Sequence, residues 1–339
     1  MKLELTVSKL ANQFYFISNL TEWHFSCRKD DNKKWLEMTG PLNEEEKDAL
    51  DIFKNILQLN GFTCDTIEKS KYLGKYFLLN SEEQIWQNLK KSIKDENFQK
   101  IKWIFKIFKS RFKKIWKEEL NKKTIKIFED ELKKEKYDHL FNDVEKILGD
   151  NKKNKKITIH ILFSPQEYET TGSGSACIGF NDITLELPKL KRNTWQLEYT
   201  IYVLAHEIAH ILSDSRQTKS LIEKYCKKYT IPTKKNIKNI NFPTISIINE
   251  MIIESFLPYG YLAQKYSDFQ LAPHLLNNLP KGYKAIEDLK NNKIVEYYNQ
   301  LNRYLIWELY HLAIIYGREK KQIDENFINQ ATLILKKII

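Results

Sequence analysis

The chain has 339 residues, 55 Lys and Arg against 44 Asp and Glu, a net charge of +11 and 42% hydrophobic content. That length supports one large domain or two smaller ones around a sizeable core, so no cross-linked miniature scaffold is needed. The four cysteines, Cys27, Cys64, Cys177 and Cys226, lack CxxC spacing, which argues against a zinc ribbon or a dense disulfide framework, and no run of 18 or more apolar residues offers a membrane span.

The opening stretch MKLELTVSKLANQFYFISNL mixes charged and polar residues into its apolar positions, so it lacks the core of a secretory leader and a cytoplasmic location is expected. From there to about residue 150 the pattern is mostly helical, with helices expected over Asn43 to Leu59, Glu82 to Ile93, Lys100 to Trp116 and Glu118 to Leu148. The positive charge is concentrated here. Lys90 to Lys156 holds 22 Lys and Arg against 12 acidic residues, and Lys100 to Lys117, KIKWIFKIFKSRFKKIWK, holds no acid at all. In that segment Ile101, Ile104, Phe105, Phe108, Phe112, Ile115 and Trp116 recur at helical spacing, with lysines and Arg111 filling the opposite face. Such a helix can bind nucleic acid or an anionic membrane, but the favoured reading packs the stripe into its own domain and leaves the lysines solvated. The polar run GDNKKNKK, Gly149 to Lys156, reads as a linker.

Beyond it, Lys156 to Phe163 (KITIHILF) and Ala176 to Leu187 (ACIGFNDITLEL) alternate apolar and polar residues and read as strands, joined by a turn-rich stretch with Gly172, Ser173 and Gly174. His160 is expected to be a packed or surface histidine. The most informative stretch follows. Val203 to Leu212 reads VLAHEIAHIL, an HExxH motif in an apolar helical setting. Positions i and i+4 share a helix face, so the imidazoles of His206 and His210 can close on one metal ion. Glu207 stands one residue round, where a carboxylate can take a proton from metal-bound water without being a ligand. The surrounding Val203, Leu204, Ile208, Ala209, Ile211 and Leu212 describe a buried helix, and buried polar groups need partners such as a cation.

A catalytic zinc site uses three protein ligands. No HExxHxxGxxH continuation follows His210, so a carboxylate downstream is the better third ligand. The segment INEMIIESF offers Glu250 and Glu254 at i and i+4, flanked by Ile247, Ile248, Met251, Ile252, Ile253 and Phe256. Either carboxylate can serve, since both lie within a strongly apolar helix.

These residues resemble the gluzincins, thermolysin-like and related zinc peptidases in which HExxH is followed by a glutamate ligand on a second helix. The thermolysin-like form of that helix is Asn-Glu-x-x-x-Asp, and Asn249, Glu250 and Glu254 stand here as Asn-Glu-x-x-x-Glu. The resemblance spans about fifty residues. It implies Zn2+ as cofactor, Glu250 as third ligand, and Glu254 as the carboxylate that orients a ligating imidazole. It further implies an edge strand along which an extended peptide pairs, which here falls on Ala176, Cys177, Ile178 and Gly179. Finally, it implies a tyrosine or histidine downstream that stabilises the oxyanion, with Tyr310 and His311 as first choices.

The expected architecture is α+β and mostly helical, with a small mixed sheet whose edge strand accompanies the HExxH helix. Residues 1–150 would form a basic helical region, one wall of a cleft, and 151–339 a zincin-like catalytic domain. The expected activity is zinc-dependent hydrolysis of a peptide or protein substrate. Two alternatives are a regulatory protease of the ImmA/IrrE kind, suggested by HEIAH, and a non-catalytic zinc-stabilised binding protein with a basic surface.

Overall fold

The computed structural model describes residues 1–24, 27–59, 62–63, 66–67, 73–79, 81–149, 156–177, 181–213, 216–232, 234–237, 240–269 and 294–337. The chain forms two compact units. The sheet unit comprises 2–130 and 156–197; the helical unit comprises residue 1, 131–155 and 198–339.

In the sheet unit, β1 (Lys2–Thr6), β4 (Lys156–Phe163), β5 (Ser173–Cys177) and β6 (Asp182–Leu187) form one sheet in the order β1-β4-β6-β5. The pairings β1 with β4 and β4 with β6 are parallel, and β5 runs antiparallel to β6, so the sheet is mixed. Alternation in β6 buries Ile183, Leu185 and Leu187 on one face, as period 2 requires. Helices α1 (Lys9–Leu20), α2 (Lys29–Thr39), α3 (Glu44–Leu59), α4 (Glu82–Ser92) and α5 (Asp95–Ile115) build the core around Phe14, Phe16, Trp35, Phe53 and Phe108. A small hairpin, β2 (Phe62–Thr63) with β3 (Thr66–Ile67), and a 3-10 helix over Leu73–Leu78 lie between α3 and α4. Asn12 ties α1 to the sheet: its amide donates to the Ile161 carbonyl (2.9 Å) and its oxygen accepts from the Phe163 N–H (2.8 Å). The apolar stripe of α5 lies in this core, with Ile101, Ile104 and Phe108 fully buried, while Lys102, Lys106, Lys109, Lys113 and Lys114 are exposed.

Helix α6 (Glu118–Leu132) passes from the sheet unit into the helical unit, which continues with α7 (Glu135–Leu148), the larger part of α8 (Trp195–Ser213), α9 (Arg216–Lys228) and the β7 (Lys234–Ile237) and β8 (Ile240–Pro243) hairpin. It ends with α10 (Thr244–Glu254), α11 (Tyr261–Tyr266), α12 (Ile294–Glu319) and α13 (Glu325–Lys336). Its interior includes Met251, Phe256, Tyr316 and Phe327, the last two meeting edge to face at 4.9 Å. Among the described residues no helix is long and apolar enough to cross a membrane.

The α+β class, mostly helical with a small mixed sheet, is as expected from the sequence. Three expectations change. The single strand over Ala176 to Leu187 is two, β5 and β6; Asn181 takes φ 55°, a backbone state that Asn tolerates and that favours turns, within what reads as unbroken alternation. The long helix over Glu118 to Leu148 breaks after Leu132, where the Tyr137 N–H returns to the Lys134 carbonyl and starts α7. Division at residue 150 gives way to an interleaved one, because β1 pairs with β4 and draws the strands to the N-terminal helices, while α7 belongs with the C-terminal ones. Most of the Gly149 to Lys156 run lies outside the described residues.

Candidate metal centre

Helix α8 is apolar around nearly its whole circumference: Ile201, Leu204, Ala205, Ile208 and Ala209 are fully buried. Such a helix folds as the interior of its unit. Its buried polar side chains are therefore the informative ones. Glu198 (2% exposed) is accounted for by Lys136 at 2.7 Å, the Tyr202 hydroxyl at 2.9 Å and the Asp268 N–H at 3.0 Å. His206 and Glu207 are also buried, one turn before the half-buried His210.

Helix α10 brings the third group. Ile247, Ile248, Met251 and Ile252 hold it in the core, which leaves Glu250 at the face turned toward α8. Its two carboxylate oxygens divide between the imidazoles: Oε1 stands 3.1 Å from His206 Nε2 and Oε2 3.1 Å from His210 Nε2. The two Nε2 atoms are themselves 3.0 Å apart. His206, His210 and Glu250 thus converge three ligand-type atoms on one point, the only such group among the described residues. Two ligands about 2.0–2.1 Å from one tetrahedral zinc stand roughly 3.3–3.4 Å apart, so these separations fit a shared ion after a shift of a few tenths of an ångström.

Hydrogen bonding on the far side of each ring bears on the same question. His206 Nδ1 faces the Leu257 carbonyl at 3.2 Å. A carbonyl only accepts, so Nδ1 carries a proton, and in the neutral ring Nε2 presents a lone pair to the cluster. His210 Nδ1 faces the Asn249 side-chain amide at 3.4 Å, and the Asn249 oxygen lies 3.5 Å from Ser213 Oγ. Rotating that amide by half a turn sets its oxygen against Nδ1 and frees the second Nε2 lone pair as well. Two lone pairs and a carboxylate aimed at one point require positive charge. Without a metal, a proton supplies it: burial would lower the pKa of His206, but Glu250 outweighs burial and raises it to about 10. Glu250 is correspondingly held well below the usual carboxylate range, burial being overcome by the two histidines.

Glu207 lies between the two histidines in sequence, 8% exposed, and its carboxylate makes no hydrogen bond or ion pair among the described residues. A buried carboxylate with no hydrogen-bond partner among the described residues is uncommon, and the charge of Glu207 acts on His206. Glu254 differs from expectation. The orienting contacts belong to the Leu257 carbonyl and the Asn249 amide, because α10 ends at Glu254 and the following turn carries the Leu257 carbonyl to His206. Burial and then the charge of Glu250 push the Glu254 carboxyl up to about 8, eased by His206 and by Arg303 on α12.

Tyr310 and His311 are not brought to this cluster among the described contacts. The Tyr310 hydroxyl donates to Gln264 of α11, and His311 is exposed beside Trp307. Sequence reasoning instead missed Tyr199, Tyr259 and Arg303. The Tyr199 and Tyr259 rings lie 4.8 Å apart, and the charges of Glu254 and Arg303 both act on Tyr199. No local motif marks them, and the two tyrosines are hidden among eighteen. Of the expected peptide-binding positions, Ala176 and Cys177 close the edge strand β5, whereas Ile178 and Gly179 lie outside the described residues. His160 is packed, 3% exposed, against Asp182 at 3.1 Å. Comparison with protein-family models, curated proteins and solved structures finds no match to this chain, so the site speaks through its own residues.

Proposed function

We propose that this chain is a zinc-dependent peptidase. The observation that carries the reading is the convergence of His206, His210 and Glu250, with the buried carboxylate of Glu207, which makes no hydrogen bond or ion pair among the described residues, on the same helix as both imidazoles. Two neutral imidazoles and one carboxylate are the donor set of a three-ligand zinc site. When bound there, zinc acidifies a water molecule and polarises a carbonyl. The residues do the rest. His206 is held in its ligating tautomer by the Leu257 carbonyl, and Asn249 restrains His210. Glu207 accepts the proton of the attacking water and returns it to the leaving amine, the task of a positioned general base. The proposed substrate class is a peptide, whose carbonyl is the electrophile and whose leaving amine takes up the proton that Glu207 carries.

Glu207→Gln keeps the volume of the side chain and removes its basicity. Zinc content and the far-ultraviolet spectrum should match the wild type, while hydrolysis of a mixed peptide library falls at least about a hundredfold. Full hydrolysis by a zinc-loaded variant would exclude this role for Glu207. Zinc binding by a wild type that cleaves no peptide would instead favour a zinc-stabilised binding protein.

A further inference from the structure

The sheet unit contains a cavity of about 100 Å3 that the metal chemistry does not use. Enclosed apolar cavities of about 150 Å3 accept benzene; this space is smaller but open to solvent at one side, so it admits at most one ring, part of which stands in the mouth. Its wall is aromatic: Phe16, Trp35, Phe112, Trp116 and Phe163 line it in a continuous series of ring contacts at 5.1–6.0 Å. Helix α6 supplies another side through Leu120, Asn121 and Thr124, whose spacing places all three on one helix face, with Lys117 just before its start.

The polar groups of this cavity are unevenly committed. Asn12 is spent on the Ile161 carbonyl and the Phe163 N–H, and Ser164 Oγ accepts from the Gln166 N–H at 3.2 Å. Asn121 and Thr124 are 9% and 4% exposed, yet neither side chain makes a hydrogen bond with any described residue. Buried amides and hydroxyls are almost always paired, and an exception calls for a missing partner. No buried cation faces the space: Lys117 is exposed, and Lys189 is paired with Glu167 at the rim. An anion therefore has nothing to meet inside. A group that both donates and accepts, carried on the edge of a flat apolar ring, satisfies Asn121 and Thr124 together.

We propose that this cavity is a second ligand site and that its ligand is a neutral phenol-type ring, with the ring against Trp116 and Phe112 and its hydroxyl between Asn121 and Thr124. The inference stands apart from the peptidase reading, since none of its residues belongs to the metal centre.

The test uses the full chain with p-cresol and toluene, which differ only in the hydroxyl. Calorimetry or ligand-observed magnetic resonance should show p-cresol binding saturably, about tenfold more tightly than toluene, and raising the melting temperature. In Asn121→Leu/Thr124→Val the two probes should bind within about twofold of each other. N-acetyltyrosine amide separates the sources: binding as strong as that of p-cresol assigns the site to a tyrosine side chain of a peptide, and exclusion assigns it to free phenols. Equal wild-type affinities for p-cresol and toluene, or no saturation by either, would overturn the proposal, as would a preference for p-cresol that survives the double substitution. The wild-type comparison decides even if the double variant does not fold.

Discussion

A cluster that demands one positive charge makes proton and metal competitors, and His206 is where they compete. Its pKa in the metal-free fold is raised to about 10, against about 6.5 for an unfolded histidine. A raised folded pKa gives stability that is complete below about pH 6.5 and is lost as pH climbs toward 10. Over that window the metal-free protein should weaken, by at most about 1.4 kcal/mol per pH unit from this group. Binding an ion at Nε2 expels the proton, so zinc affinity should rise with pH, up to about tenfold per unit between pH 6.5 and 8.5. Chelator competition at several pH values measures it, and a flat profile would remove His206 from the ligand set. The carboxylates separate by the same logic. Glu250 is ionised and Glu254, at about 8, is largely protonated near pH 7 in the metal-free fold. Glu250→Gln therefore removes an anion from the cluster, whereas Glu254→Gln replaces a neutral acid by a neutral amide of like shape. The first should lower zinc affinity by more than a hundredfold and the second by no more than about tenfold; the opposite order would exchange their roles. Much of this site was legible because its chemistry is local: His206, Glu207 and His210 share two helical turns, and Glu250 follows Asn249 in a quoted pattern. The Leu257 carbonyl was not legible, because every residue has one and only the path of the chain after Glu254 selects it.

At the scale of elements, helix α5 shows how a core is anchored by one buried cation. Arg111 lies on the otherwise apolar stripe and is 8% exposed. Its guanidinium meets both Glu46 oxygens at 2.8 and 2.6 Å, the Thr39 hydroxyl at 2.7 Å and the carbonyls of Gly40 and Pro41 at 2.6 and 2.9 Å. These contacts fix the connection between α2 and α3, where Gly40 takes φ 88°, a conformation that other residues avoid. Arg111→Ala should cost about 3–5 kcal/mol, because it leaves the buried Glu46 carboxylate without its cation. Replacing both partners, as Arg111→Met/Glu46→Leu, should recover part of that loss. Urea denaturation of the three proteins checks this, and a double variant weaker than Arg111→Ala would show that the pair is not the main contribution. Sequence periodicity located α5 well, since its stripe is long and strong. It mistook Arg111 for part of the solvated basic face, because periodicity records hydrophobicity and not the carbonyls waiting three helices away. It also joined β5 to β6 and α6 to α7, because neither the positive φ of Asn181 nor the break at Lys133 and Lys134 marks itself in the apolar pattern.

On the scale of the whole molecule, all three ligand-type residues belong to the helical unit, on α8 and α10. Among the described residues the N-terminal helices and the sheet contribute none. That arrangement was hidden from a linear reading, which divides a chain at its most polar stretch and cannot foresee that β1 returns to pair with β4. It has a measurable consequence. An ion that crosslinks α8 to α10 stabilises the conformations in which both helices are in place, so its removal should loosen that pair first. In hydrogen exchange with and without a chelator, amides of Ile201 to Leu212 and Ile247 to Ile253 should lose protection by about tenfold or more. Amides in the cores of α1, α3 and α5, whose packing rests on Phe14, Phe53 and Phe108 in the sheet unit, should change by less than about twofold. Equal loss in both units would mean that the metal governs folding of the entire chain, and unchanged protection of α8 and α10 would mean that no ion joins them.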